Sequence, residues 1–240
     1  MLGLLLCAAL VGLMEGIPGT MHNKRQFNSI GKIYAKAAGL HIAEGWWPGE
    51  TKDEIAIGAV LVQNTNWLNA DKALSNLRES GMLSMGALSQ VSPMEIERQI
   101  RPSGTYKRKA KCLRELAMYF TSRGGIAKCS GMQTEEIKQE LISIHGIGDE
   151  TADAILLYAL GKPVFVIDAY TKRIIDRVTG HRSGDYASLQ KEAYAVSKGD
   201  QKVYMSMHAF FVELGKAHCR KVPRCVGCPV FRICRHPKES

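Results

Sequence analysis

No apolar run in the 240 residues is long enough to cross a bilayer: the longest, Leu2 to Met14, is about thirteen residues against the roughly 20 a spanning helix needs. That run has the length of a signal-peptide core, yet no lysine or arginine precedes it. Residues 1–20 are therefore read as an N-terminal extension of uncertain status, arising from an upstream start, a frayed or packed terminal helix, or an export signal. Met21 then opens the polar run His22-Asn23-Lys24-Arg25. Acidic residues are under-supplied, 23 against 32 lysines and arginines, and the formal net charge of +9 predicts a polyanionic partner without specifying a fold. Aromatics make up only 7% of the chain, so each of the three tryptophans is worth locating. Cysteine comes in an odd number, seven, which argues against a fully paired disulfide framework. With 45% hydrophobic and 23% charged residues, the composition excludes a disordered or collagen-like chain and suits one or two compact domains.

Strand patterning is nearly absent. Val164-Phe165-Val166-Ile167 is the one strand-like run, and no second run offers it a partner. Apolar residues recur instead at helical spacing from Asn28 to Leu40, and Gly39 and the Gly45-Trp46-Trp47-Pro48-Gly49 segment break that pattern. Thr51 and Glu54 form the capping-box pattern ahead of a helix through Leu61. Further helices are predicted over Leu68–Glu79, Pro93–Ile100, Tyr106–Arg123, Thr134–Ser143 and Asp149–Leu160, joined by short glycine-rich links. The fold class is all-α. Within it, Tyr106-Lys107-Arg108-Lys109-Ala110-Lys111 reads as a solvated basic helix start or a phosphate contact, with Lys107 the candidate DNA ligand. Cys112 fits a helical core face and Cys129 a loop.

The stretch Leu141 to Ala152 ends one helix, turns through Gly146-Ile147-Gly148 and begins another. Two glycines one residue apart let backbone N–H groups approach a phosphate, while Ile147 plugs the turn into its own core. Such a turn is a plain helix connection or, given the basic surplus, a sequence-independent grip on a DNA backbone.

The segment from Ile144 to Arg173 resembles the helix–hairpin–helix DNA glycosylase superfamily, of which endonuclease III is the familiar member. In that family an aspartate at a helix start follows the hairpin by some twenty residues, and the matching residue here is Asp168, in Ile167-Asp168-Ala169-Tyr170. On the residues alone Asp168 is an N-cap; the resemblance adds a catalytic carboxylate that stabilises positive charge on the sugar and activates water. Family members that also cleave the strand carry a lysine two residues after the hairpin's last glycine, where this chain has Glu150. A carboxylate forms no Schiff base, so a monofunctional, water-using enzyme without lyase activity is expected. Glu150 either helps read the flipped base or is a plain surface glutamate.

Trp46-Trp47-Pro48 and Val62-Gln63-Asn64-Thr65-Asn66-Trp67 are similar to the 3-methyladenine glycosylase branch of the family. The resemblance implies that Trp46 and Trp67 sandwich the flipped base, with Trp47, Pro48 and Glu150 as pocket neighbours and Gln63 wedged into the vacated space. Stacking a base on such rings is worth roughly 1–3 kcal/mol, with a cation–π gain for a cationic alkylated purine.

Cys219, Cys225, Cys228 and Cys234 are spaced C-x₅-C-x₂-C-x₅-C amid Arg220, Lys221 and Arg224. Four thiolates so close are a metal signal that both zinc and a [4Fe–4S] cluster satisfy. The spacing is close to the endonuclease III motif C-x₆-C-x₂-C-x₅-C, which favours the [4Fe–4S] cluster, with zinc as the alternative. Its implied part is structural, pinning a loop whose Arg220, Lys221 and Arg224 meet phosphates.

The resemblance implies a six-helix module near residues 51–163 containing the hairpin, and a discontinuous helical domain of residues 21–50 and 164–240 carrying the cluster. It implies a cytoplasmic, nucleoid-associated monomer of prokaryotic type that binds double-stranded DNA containing a damaged base, with no membrane partner. The expected reaction is hydrolysis of the N-glycosidic bond of an alkylated purine such as 3-methyladenine. The alternatives are a uracil, thymine or oxidised-base glycosylase and a non-catalytic binder of damaged DNA.

Overall fold

The computed structural model describes residues 21–39, 45–182, 184–197 and 199–236, so the reading of residues 1–20 falls outside it. Among the described residues every regular element is helical, and no helix is long and apolar enough to cross a membrane. Helix α1 (Met21–Ala38) turns Ile30, Ile33, Tyr34 and Ala37 to one side, a stripe at helical spacing. That stripe packs on three helices from the far end of the chain: α10 (Ala169–Thr179), α11 (Tyr186–Ser197) and α12 (Gln201–Ala217). The Tyr34 hydroxyl donates to the Leu189 carbonyl at 3.2 Å, and its ring meets Phe165 and Phe211 edge-on at 5.5 and 5.7 Å.

The middle of the chain forms α2 (Lys52–Leu61), α3 (Trp67–Glu79), α4 (Met85–Gln90), α5 (Pro93–Ile100), α6 (Tyr106–Ser122), α7 (Ile126–Cys129), α8 (Thr134–Ser143) and α9 (Asp149–Ala154). The short α4 and α7 interrupt the regular series of longer helices that the periodicity predicts. At α2, Thr51 accepts from the Glu54 N–H at 3.1 Å, as a capping box requires, but the Glu54 side chain does not reciprocate. One of its oxygens takes the Glu50 N–H at 3.1 Å and the other pairs with Arg78 of α3. A complete box stands instead at α5, between Ser92 and Glu95.

The basic start of α6 is not uniformly solvated. Lys107 and Arg108 are exposed, whereas Lys109 is 1% exposed and donates to the Leu61 carbonyl at 2.8 Å and the Ser103 carbonyl at 2.7 Å. It neither meets solvent nor is free for a phosphate; it ties the end of α2 to the turn before α6. Cys112 is buried as expected, and Cys129, read as a loop residue, is buried at the end of α7.

Residues 164–167 belong to no helix, are wholly buried, and have no partner strand among the described residues. Side chains satisfy part of this backbone: Gln190 donates to the Phe165 carbonyl at 2.8 Å, and the Tyr186 hydroxyl accepts the Ile167 N–H at 3.3 Å. The same two side chains reach one oxygen of buried Asp153 of α9 at 2.7 Å each, and Lys138 of α8 reaches it at 3.0 Å. The hairpin's second helix is thus bolted to α11 and to the segment leading into Asp168. Farther on, a Cβ at Gly215 of α12 would lie 2.1 Å from the Tyr170 ring, so glycine there lets α10 and α12 approach.

Candidate active site

The site forms where α9, α10, α12 and the 45–50 loop meet. Asp168 caps α10: its Oδ1 accepts both the backbone N–H and the hydroxyl of Thr171 at 2.7 Å. The N-cap reading and the placement in a site therefore coexist. Asp168 is buried, and its Oδ2 lies 3.8 Å from His208 Nε2 on α12. That imidazole, also buried, has Nδ1 2.7 Å from the Tyr158 hydroxyl. Burial, and to a smaller extent Lys216, pushes the His208 pKa down against the pull of Asp168, which favours the neutral ring.

Tyr158 owes its position to a change of helix type. The helix expected over Asp149–Leu160 runs as α9 to Ala154 and then widens into a π turn, Ile155–Ala159, closed by the Leu160 N–H on the Ile155 carbonyl at 3.0 Å. π turns recur at functional sites because the extra residue re-aims side chains.

The three tryptophans gather here. Trp47 stacks on Tyr158 with ring centres 4.6 Å apart, lies nearly parallel to His208 at 6.2 Å, and meets Trp67 and Trp46 edge-on at 5.9 and 6.4 Å. The expected pair Trp46 and Trp67 therefore flanks Trp47, whose ring lies against both. The Trp47 indole N–H is buried without a hydrogen-bond partner. Trp46 is held from α12: its Nε1 donates to Glu213 at 3.2 Å, Lys216 reaches the same carboxylate oxygen at 3.1 Å, and the Lys216 ammonium sits 5.8 Å from the Trp46 ring centre. Pro48 is exposed beside them.

Glu150, in the first turn of α9, stands close enough for the Asp168 charge to act on it. Surrounding protein and that charge push its carboxyl up to about 7, against the opposing effect of Lys172. Between about pH 4.5 and 7 the folded protein thus holds a proton at Glu150 that the unfolded chain gives up, and this contribution to stability is lost as pH rises through 7. Glu150→Gln is accordingly expected to raise the melting temperature above pH 7, modestly because the residue is exposed, and to leave it unchanged near pH 4.5. Melting curves across that range check both limbs.

The hairpin lies beside this cluster. Gly146 has φ +99°, and a Cβ there would lie 3.4 Å from Cys112; Ile147 is buried, as the plug reading requires, and Gly148 is exposed at the N-cap of α9. Gln63 donates to the Gly146 carbonyl at 2.9 Å and to the Thr151 hydroxyl at 2.8 Å, so its amide is engaged with the hairpin.

Residues 57–197 match the family described as "HhH-GPD superfamily base excision DNA repair protein". The chain belongs to the HhH-GPD superfamily. A protein of Methanocaldococcus jannaschii provisionally named a DNA repair glycosylase is 36% identical over 216 residues, covering 88% of this HhH-GPD chain and 98% of the relative. The thymine-DNA glycosylase of Aeropyrum pernix is 30% identical over 155 residues, 62% of this chain and 66% of that protein. Among solved structures, the Helicobacter pylori 3-methyladenine DNA glycosylase bound to 1,N6-ethenoadenine is similar, with a TM-score of 0.66 and 26% identity, covering 80% of this chain and 97% of that one.

Two of the C-terminal cysteines of this HhH-GPD protein, Cys219 and Cys234, contact Arg177 of α10. Arg177 donates to the Cys219 sulfur at 3.2 Å and to the carbonyls of Arg220 and Lys221 at 2.6 and 2.9 Å, and Arg173 holds the Cys219 carbonyl at 2.8 Å. Burial pushes the Cys228 thiol up, and Cys234, Cys219 and Cys225 add to that shift against a hydrogen bond with the Val230 backbone. Among the described residues no three Cys, His, Asp or Glu side chains converge tightly enough for a single metal ion. The basic side chains of Arg220, Lys221 and Arg224 are exposed on the loop so fixed.

Sequence reasoning missed Thr171, Tyr158 and His208. Thr171 was legible as the third residue after an N-cap; the other two reach the site through a π turn and a helix that carry no motif.

Proposed function

We propose that this chain is a monofunctional DNA glycosylase that hydrolyses the N-glycosidic bond of a base flipped out of double-stranded DNA, with an alkylated purine as the substrate class. The observation that carries the reading is Asp168: a buried carboxylate with one oxygen occupied by Thr171 and the other unbonded, beside a cluster of five aromatic rings. A carboxylate so placed stabilises the positive charge that builds on the sugar as the bond breaks, and it orients the attacking water. The rings of Trp46, Trp47 and Trp67 offer faces for the extruded base, and the electron-rich indoles favour a cationic purine. The likeness to the 3-methyladenine enzyme supports this class, and the Aeropyrum relative favours thymine as a second reading.

Around this site Gly146, Ile147 and Gly148 grip one backbone, Gln63 exchanges its hairpin bonds for the orphaned base, and Lys107, Arg220, Lys221 and Arg224 meet phosphates. The protein acts as a monomer. Glu150 stands where strand-cleaving relatives carry a nucleophilic amine and supplies none.

Single-turnover release from duplexes containing 3-methyladenine, ethenoadenine, a G·T mismatch, uracil or 8-oxoguanine tests the assignment. Release of the alkylated purines is expected, with no borohydride-trapped adduct. Release of thymine alone transfers the site to the second reading; release from none leaves a binder of damaged DNA.

Cys219, Cys225, Cys228 and Cys234 supply an all-thiolate donor set that a [4Fe–4S] cluster and zinc both accept, and the C-x₅-C-x₂-C-x₅-C spacing favours the cluster. A [4Fe–4S] cluster there supplies a cross-link that pins the loop. Protein purified without oxygen is expected to absorb in the visible blue, and Cys225→Ser to lose that band and weaken DNA binding.

A further inference from the structure

We propose that His208 is a positioning residue for Asp168: a neutral imidazole, fixed by the Tyr158 hydroxyl so that its Nε2–H faces the free carboxylate oxygen and keeps that oxygen turned toward the reacting sugar. The inference rests on the glycosylase reading of Asp168 and goes beyond it, since neither α12 nor the π turn carries any recognised motif.

Two tautomers of a neutral ring satisfy the 2.7 Å contact with Tyr158. In one, the hydroxyl donates to Nδ1 and Nε2 carries the proton. In the other, Nδ1 donates to the hydroxyl oxygen and the Nε2 lone pair confronts the Asp168 carboxylate at 3.8 Å. The second sets an electron pair against a negative charge in a buried site, so the first prevails. The Tyr158 hydroxyl is itself buried and held protonated by its surroundings, which keeps it a donor. An imidazolium is opposed by burial and by Lys216, with Asp168 as the one counter-charge. Asp168 also acts on Glu150, which Lys172 pulls the other way.

The geometry explains why the carboxylate needs a second guide. Thr171 binds only Oδ1 and leaves Oδ2 without a bond to direct it. At 3.8 Å the imidazole acts through its dipole, with room to close into a hydrogen bond when DNA fills the site. The ring has little freedom of its own: Trp46 meets it edge-on at 5.8 Å and Trp47 lies nearly parallel at 6.2 Å.

The test compares His208→Leu and His208→Gln with the wild type in single-turnover base release and in binding to duplex DNA, and records the ¹⁵N spectrum of the labelled imidazole. Loss of a donor that orients the reacting group costs about 100-fold in rate. His208→Leu is expected to lose that much with its Kd unchanged, and His208→Gln, which restores a neutral N–H near the Nε2 position, to recover most of it. The spectrum is expected to show a neutral ring protonated at Nε2 at pH 7. A Gln variant no faster than Leu, equal rates in all three proteins, or a ring protonated at Nδ1 or at both nitrogens overturns the proposal. If wild-type protein releases no base from any duplex, the glycosylase reading fails, while the spectrum still decides the tautomer.

Discussion

Asp168→Asn is expected to reduce base release by roughly 10³-fold or more while leaving the fold and DNA binding in place. Asparagine is as good an N-cap as aspartate, so its carbonyl oxygen takes the Thr171 N–H and hydroxyl that Oδ1 now accepts, and α10 keeps its start. That choice sends the NH₂ group to the position of Oδ2. The recess then meets a neutral donor where it had a charged acceptor, and a donor can neither offset positive charge on the sugar nor take a proton from water. Asp168→Ala loses the cap as well, at about 1 kcal/mol of stability. Single-turnover assays beside thermal melts separate the two effects. A rate for Asp168→Asn within tenfold of wild type would remove Asp168 from the chemistry.

The second large effect is on stability. Lys109→Met leaves two buried carbonyls, Leu61 and Ser103, without their donor, each worth about 1–3 kcal/mol, and this is partly offset because a charge no longer has to be buried. A net loss of about 3 kcal/mol lowers the melting temperature by roughly 6–12 °C for a chain of this size. Burial, with a smaller effect from Arg108, lowers the Lys109 pKa to about 8 from its usual 10.5. The unfolded chain therefore binds the extra proton between those values, and Lys109 contributes more to stability as pH rises from 8 to 10.5. The deficit of the Met variant should widen across that window, which calorimetry at pH 7 and pH 10 would show. Because Leu61 closes α2 two residues before Gln63, the same substitution should also loosen the turn beside the hairpin.

The range of the forces involved decides which features the sequence revealed and which it concealed. Local signals read well: the stripe on α1, the Asp168 cap, the double-glycine turn and the plug Ile147 all depend on residues within a few positions of one another. Helix α12 went unmarked because buried residues nearly surround it, Tyr204, Met207, Phe210, Phe211 and Leu214 among them, and a helix apolar on most sides shows no periodicity. Lys109 looked like any member of a basic run, since nothing nearby announces that two distant carbonyls receive it. The 164–167 segment read as a strand because it is buried on all sides, and distant side chains such as Gln190 and Tyr186, some twenty residues on, explain how it lives without a sheet. In the site, Trp46 and Trp47 were legible as loop aromatics, but the meeting of Trp47 with Tyr158 and His208 joins residues more than a hundred positions apart.

The widened turn at Ile155–Ala159 carries an implication for how such a recess arises and is lost. Removing a single residue from it would let the chain relax into an ordinary α-helix; because the wide turn absorbs that one residue, the helical parts on either side would keep their orientation while the side chains within the turn were re-aimed. Tyr158 would leave the imidazole and Trp47 would lose its stacking partner, while every helix kept its length and cap. The recess is therefore more fragile to deletion than to substitution, and relatives that differ by one residue here should differ in what they admit even where their aromatic residues are the same.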